Sequence, residues 1–155
     1  MDELEQNLLA LLQSNADISM AQLAEQLHCS ESSVRRRISA LQERGILERK
    51  VWLVKRDRWP GVTAIINVSF AKETTVGYRE FKTRMQANEH VSQCYSVAGS
   101  QDFVLLVHAE NLEAMETWHE RELMSDPSIR RSESQVVWSV VNFDTRLRAY
   151  ESRRD

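Results

Sequence analysis

The apolar residues of this chain change their period at Trp59, Pro60 and Gly61, and that change limits the folds open to it. Before this point they recur at helical spacing. Leu4, Leu8, Leu11 and Leu12 follow the i, i+4, i+7, i+8 rule that places one stripe along a helix. Leu23, Ala24 and Leu27 mark a shorter second helix, and Val34, Ile38 and Leu41 a third. After Gly61 the pattern alternates. Val62, Ala64, Ile66, Val68 and Phe70 fall on one side of a strand, and Thr63, Ile65, Asn67 and Ser69 on the other. Such a chain is expected to form two small domains, 1–60 and 61–143, followed by a charged tail, 144–155, that is prone to fray.

Local signals sharpen both halves. Ser19 with Gln22 fits a capping box at the start of the second helix, His28 and Cys29 form a tight turn, and Ser30 caps the third helix. Gly45 is placed to end that helix in a left-handed conformation. Ile46, Leu47, Val51, Leu53 and Val54, mixed with Arg49, Lys50 and Lys55, then predict a short basic β-hairpin or an extended arm. In the second half a helix is expected over 75–87, with Tyr78, Phe81 and Met85 turned inward. Strands follow over 91–98 and 103–109, separated by a turn at Gly99 to Asp102. Asn111 caps a helix carrying Leu112, Met115, Trp118 and Leu123, and a final strand is expected over 135–143, after the break at Asp126 and Pro127.

The order β-α-β-β-α-β is the ferredoxin-like arrangement, with two helices on one face of an antiparallel sheet. The fold class is therefore α+β: an N-terminal winged helix-turn-helix and a C-terminal ferredoxin-like βαββαβ sandwich. On the sheet's other face, Ile65, Cys94 or Tyr95, Val104 to Val107, Val136, Trp138 and Val140 form a surface too apolar for water. Two such sheets packed face to face would make the protein at least a dimer.

Composition excludes several function classes. With 42% apolar and 28% charged residues, nothing favours disorder. No apolar run approaches the roughly 18 residues of a membrane span. The start, Met1, Asp2 and Glu3, is acidic where a secretory leader is basic, so a cytoplasmic location is expected. Cys29 and Cys94 are too few and too far apart for a disulfide framework, and reduced, partly buried thiols are expected. His28, His90, His108 and His119 are scattered, so neither a metal nor a cofactor is expected. No nucleophile with a nearby base, phosphate-binding glycine loop or carboxylate pair points to catalysis.

A net charge of −3 argues against a nucleic-acid partner until its distribution is considered. Residues 1–34 hold six acids and no Lys or Arg, whereas residues 35–58 hold nine basic residues against three acidic ones. If Val34, Ile38 and Leu41 point inward, Ser32, Ser33, Arg36, Ser39 and Ala40 point outward, with Arg35 and Arg37 flanking them. A helix that reads the major groove needs such a face. Arg36 suits a bidentate contact with guanine, Ser30, Ser32, Ser33 and Ser39 are short hydrogen-bonding groups, and Ala40 permits close approach. Arg35, Arg37, Arg49, Lys50 and Lys55 would meet phosphates, which position the module without specifying sequence. Taken alone, three arginines are more often a solvated helix face. The order of helix, capped turn, arginine-rich helix and basic arm favours DNA.

Two stretches carry a family resemblance. MAQLAEQLHCSESSVRRRISALQERGIL resembles the helix-turn-helix of the Lrp/AsnC transcriptional regulators, and VSQCYSVAGSQDFVLLVHAENLEAM resembles the centre of their C-terminal effector domain. The likeness runs from Met1 to about Phe143. It departs from the family at Glu31, Ser32 and Ser33, where a proline is usual, and at Lys50, Val51 and Trp52, where the arm usually reads Tyr-Thr-Ala. The resemblance implies double-stranded DNA as partner, homodimers that often assemble into octamers, and an amino acid or related metabolite as effector. It also implies an effector site near Gly99, Ser100, Gln101 and Asp102. A glycine lets backbone N–H groups approach a carboxylate, and Asp102 suits an amino group. The same four residues equally suit a plain hairpin turn.

Two other functions fit the layout. Siroheme decarboxylases share it, but they carry histidine on the strands that face the tetrapyrrole, and residues 95–103 contain none. A protein-interaction module could also keep the helix-turn-helix without binding DNA, and it would lack the steep salt dependence of phosphate contacts.

Overall fold

A computed structural model describes residues 1–147, apart from the side chain of Asp57. Three helices come first: α1 (Glu3–Ser14), α2 (Met20–Gln26) and α3 (Glu31–Glu43). Each starts on a side-chain oxygen that satisfies a backbone N–H with no helical partner. Asp2 accepts from the Glu5 N–H at 2.7 Å, and the Glu5 carboxylate accepts from the Asp2 N–H. Ser19 and Gln22 form the expected reciprocal box, and Ser30 accepts from the Ser33 N–H at 3.3 Å. The turn between α2 and α3 passes through His28 at φ 51°, and the Cys29 N–H donates to the Ala24 carbonyl. The three helices bury Leu8, Leu23, Leu27, Val34 and Leu41, with Ile38 half-buried beside them.

After Gly45, at φ 67°, no strand forms before Val62. The segment is an irregular arm with one 3-10 turn at Arg56–Arg58. The sequence allowed a hairpin or an arm, and the arm is the form present; the paired strands of a wing are not made. A hairpin needs a tight turn built on Gly, Asn or Asp, and residues 46–55 contain none of them.

The second half is a four-stranded antiparallel sheet in the order β2-β3-β1-β4, the ferredoxin-like topology. Its elements are β1 (Val62–Phe70), α4 (Thr75–Ala87), β2 (Val91–Ser96), β3 (Phe103–Ala109), α5 (Leu112–His119) and β4 (Ile129–Val136). A π turn at Glu120–Met124 extends α5. The helices cover one face of the sheet. Phe81, Met85, Met115, Trp118 and Leu123 pack on Ala64, Ile66, Val68, Leu105 and Val107. Phe70, Tyr78, Phe81 and Phe103 join at one end of this core, with ring centroids 4.7–5.7 Å apart. Gly61 leads into β1 at φ 113°, and a Cβ there would stand 2.5 Å from the Ala109 carbonyl oxygen, so the close approach of these two chains needs glycine.

The expected outer face needs three corrections. The run Val104 to Val107 does not lie wholly on that face: Leu105 and Val107 are buried under the helices, and only Val104 and Leu106 point the other way. β2 stops at Ser96 rather than Ala98, and Cys94 packs against the helix-side core while Tyr95 lies opposite Val104. The last strand is Ile129–Val136, not 135–143. β4 is an edge strand held to β1 by backbone bonds, and its polar sequence, IRRSESQV, suits an edge that must not pair further. The apolar stretch that the alternation rule selected leaves the sheet after the Val137 N–H bonds to the Thr63 carbonyl; Trp138 and Val141 are then 97% exposed.

By packing, the chain divides into Met1–Leu53 with residues 142–147, and Val54–Val141. The division falls ahead of Trp59 to Gly61. In the first unit the Gln13 amide holds the Leu147 backbone from both sides, donating to its carbonyl at 3.1 Å and accepting from its N–H at 2.6 Å. The start of the expected tail is therefore docked on α1. Residues 148–155, on which the rest of the fraying expectation falls, lie outside the described residues.

Candidate nucleic-acid interface

α3 presents two different faces. Val34 and Leu41 are fully buried, and Ser32, Arg35, Arg36 and Ser39 are exposed on the opposite side, with Ser33 and Ala40 half-exposed at its borders. Ser30 and Ser32 share a hydrogen bond of 3.0 Å at the helix start, next to the N–H groups that give this end its partial positive charge. Arg35 pairs with Glu31 one turn back at 3.1 Å, an exposed contact that water and salt weaken and a phosphate can displace. Arg36 makes no hydrogen bond or ion pair with another described residue, so its guanidinium is available to a ligand.

Arg37 does not share that face. Its Nη1 lies 2.7 Å from Asp2, its side chain is largely covered, and its Nε is buried without a partner. Two turns on, Arg44 reaches Glu5 at 2.8 Å. The two arginines stand seven residues apart on one side of α3 and hold the first turn of α1. The Glu5 N–H and then Arg37 hold the Asp2 carboxyl below its ordinary range. Arg37 is thus a tie between helices, set apart from the exposed side chains of α3. Periodicity alone sets Arg37 at the flank of the outward face, and its partner Asp2, 35 residues earlier in the chain, meets it only in the folded unit.

The arm residues are exposed and paired with acids. Lys50 bonds to Asp17, and Arg49 lies 3.8 Å from Glu48. Both contacts sit in water and leave these cations free to exchange partners.

The turn of the second unit places Gly99 and Ser100 at the surface, with Gln101 and Asp102 half-buried. Asp102 is fully engaged within the chain. One carboxylate oxygen accepts from the Phe70 N–H at 2.7 Å and the other from the Tyr78 hydroxyl, while the Asp102 N–H donates to the Val68 carbonyl. The bond to Asp102 pushes the Tyr78 phenol up to about 12, so it remains a donor throughout the neutral range. Asp102 therefore joins the turn to β1 and α4, the role of a residue that braces a hairpin turn. Gly99, Ser100 and Gln101 retain their exposed groups.

The helix pair with its exposed arginine face, joined to a separate α+β domain, is the layout of a DNA-binding transcriptional regulator rather than an enzyme. Family comparison agrees: residues 1–42 match the AsnC-type helix-turn-helix domain, and residues 63–147 match the Lrp/AsnC ligand binding domain. The chain belongs to the Lrp/AsnC family of transcriptional regulators. It is 24% identical over 148 residues to the DNA-binding transcriptional activator DecR of Escherichia coli, covering 95% of this chain and 97% of that one. It is 29% identical over 119 residues to the regulator LrpC of Bacillus subtilis, covering 75% and 79%. Among solved structures, an AsnC family regulator from Agrobacterium tumefaciens superposes with a TM-score of 0.83 at 24% identity, over 95% of this chain and 96% of its own. A transcriptional regulator from Neisseria meningitidis, solved as an L-Met complex, gives 0.83 at 22% identity over the same shares. No described helix is long and apolar enough to cross a membrane.

Proposed function

We propose that this regulator reads duplex DNA with the outward face of α3 while its arm meets the backbone. Arg36 contacts base edges, with Ser30, Ser32, Ser33 and Ser39 as short partners to bases and phosphates, and Arg35, Arg49 and Lys50 neutralise phosphates after releasing their acids. The observation that carries this reading is an arginine held outward at the middle of a capped helix, with no partner among the described residues, on a helix whose opposite face is locked into a core.

The working species is a homodimer joined through the outer sheet face, where Ile65, Tyr95, Val104 and Leu106 lie together across three strands, and such dimers assemble further to octamers. The effector is an amino acid or a related metabolite, the class to which the L-Met of the neisserial neighbour belongs. It binds beside Gly99, Ser100 and Gln101, and the protein acts in the cytoplasm. Selection of genomic fragments by the purified protein, with and without each amino acid, tests this reading. A shared sequence motif whose recovery responds to one amino acid is expected. Recovery of fragments at random would remove the regulator reading, and a motif indifferent to every amino acid would remove the effector class.

A further inference from the structure

We infer that His108 and Arg56 form a proton-operated latch, which holds the 3-10 turn before β1 against the sheet and releases it on acidification. The inference is independent of the DNA and effector assignments. His108 lies on β3 opposite Thr63 of β1, on the face away from the helices. Arg56 Nη1 is 2.9 Å from its Nε2, Thr63 Oγ1 is 2.8 Å from its Nδ1, and Ser92 Oγ of β2 is 3.0 Å from Nε2. A guanidinium only donates, so Nε2 must carry the lone pair and Nδ1 the proton, which goes to Thr63. In that state the Ser92 hydroxyl donates to the Leu106 carbonyl at 3.1 Å.

A proton added to Nε2 puts an N–H where the Arg56 N–H already points and sets two positive charges 2.9 Å apart. The ring has a second partner in place. Ser92 Oγ can accept the new N–H while still donating to Leu106, whereas the bond between Arg56 and His108 is lost. Around the ring, β1 contributes Thr63, β2 contributes Ser92, and the 3-10 turn contributes Arg56. His90 reaches only the His108 carbonyl, with its Nδ1 at 3.0 Å. Among the described residues, no carboxylate bonds to the ring to hold it protonated. Burial, and then Arg56, push the ring below its ordinary value of 6.5. The latch is therefore closed at neutral pH. Because the unfolded chain takes up this proton first, the stability it contributes is present above 6.5 and is lost as the pH falls through the lowered value.

Hydrogen exchange on the full-length protein tests the device. The Arg58 and Trp59 amides, which donate to the Lys55 and Arg56 carbonyls, report the turn directly. After correction for intrinsic exchange, their opening should be flat above the ring's ordinary value of 6.5, rise by at most about tenfold per pH unit as the pH falls from there toward the lowered value, and level off below it. His108→Gln should flatten that profile, and ring nitrogen shifts should show the Nδ1–H form at neutral pH. An Nε2–H ring at neutral pH, or equal profiles for the wild type and His108→Gln, would overturn the latch.

Discussion

A helix turns each residue by about 100° from the last, and on α3 that rotation separates Arg36, in water, from Arg37, which lies on Asp2. Replacing each by alanine should therefore produce opposite results. Arg37→Ala lowers the thermal midpoint of the first unit, and Arg36→Ala leaves it unchanged, as circular dichroism melts of both variants will show. The Asp2 carboxyl, lowered first by the Glu5 N–H and then by Arg37, adds stability above its ordinary value of 3.8 that is lost as the pH falls below it. Asp102 gives a second prediction. Asp102→Ala leaves the buried Phe70 N–H and the Tyr78 hydroxyl without their acceptor and should cost about 1–3 kcal/mol in urea unfolding. A change under a few tenths would show that the turn does not depend on it. The sequence made Asp102 visible as a turn residue and as a ligand candidate. Its partners Tyr78 and Phe70 were not legible, because they lie far away in the chain and meet it only in the folded sheet.

Elements with a single dominant signal were legible in full. β1, α4 and β3 have the bounds that their periodicity predicts, since each buries one face against a core that rewards alternation or a helical stripe. β4 was misplaced for the opposite reason. An edge strand is held by backbone bonds to one neighbour, so its side chains need not alternate, and the more apolar stretch beyond it drew the prediction away. The arm was half legible: its composition allowed two forms, and the missing turn residue was the signal that separates them. Caps were the most transferable signals. Ser30→Ala should destabilise the first unit by about 0.5–2 kcal/mol, because the Ser33 N–H loses its acceptor at the start of α3. Differential scanning calorimetry that finds no loss would remove the cap from this account.

At the scale of the whole molecule, the exposed apolar residues, Ile65 and Tyr95 on the sheet and Trp138 beyond β4, motivate the proposed dimer. Leu106→Asp, at the centre of the sheet's outer face, should raise the dimer dissociation constant at least about tenfold in sedimentation equilibrium, since burying an unpaired charge costs more than 1.4 kcal/mol. Unchanged association would move the interface elsewhere. DNA recognition is also a whole-molecule property, because each half-site contact counts once per subunit. The most direct test is the affinity for a selected DNA site and for its single-base variants at one fixed salt concentration, compared between the wild type and Arg36→Ala. The account predicts that Arg36→Ala loses about 1–3 kcal/mol of affinity for that site, with discrimination reduced at one base-pair position per half-site. Equal affinity and equal discrimination in the two proteins would contradict it.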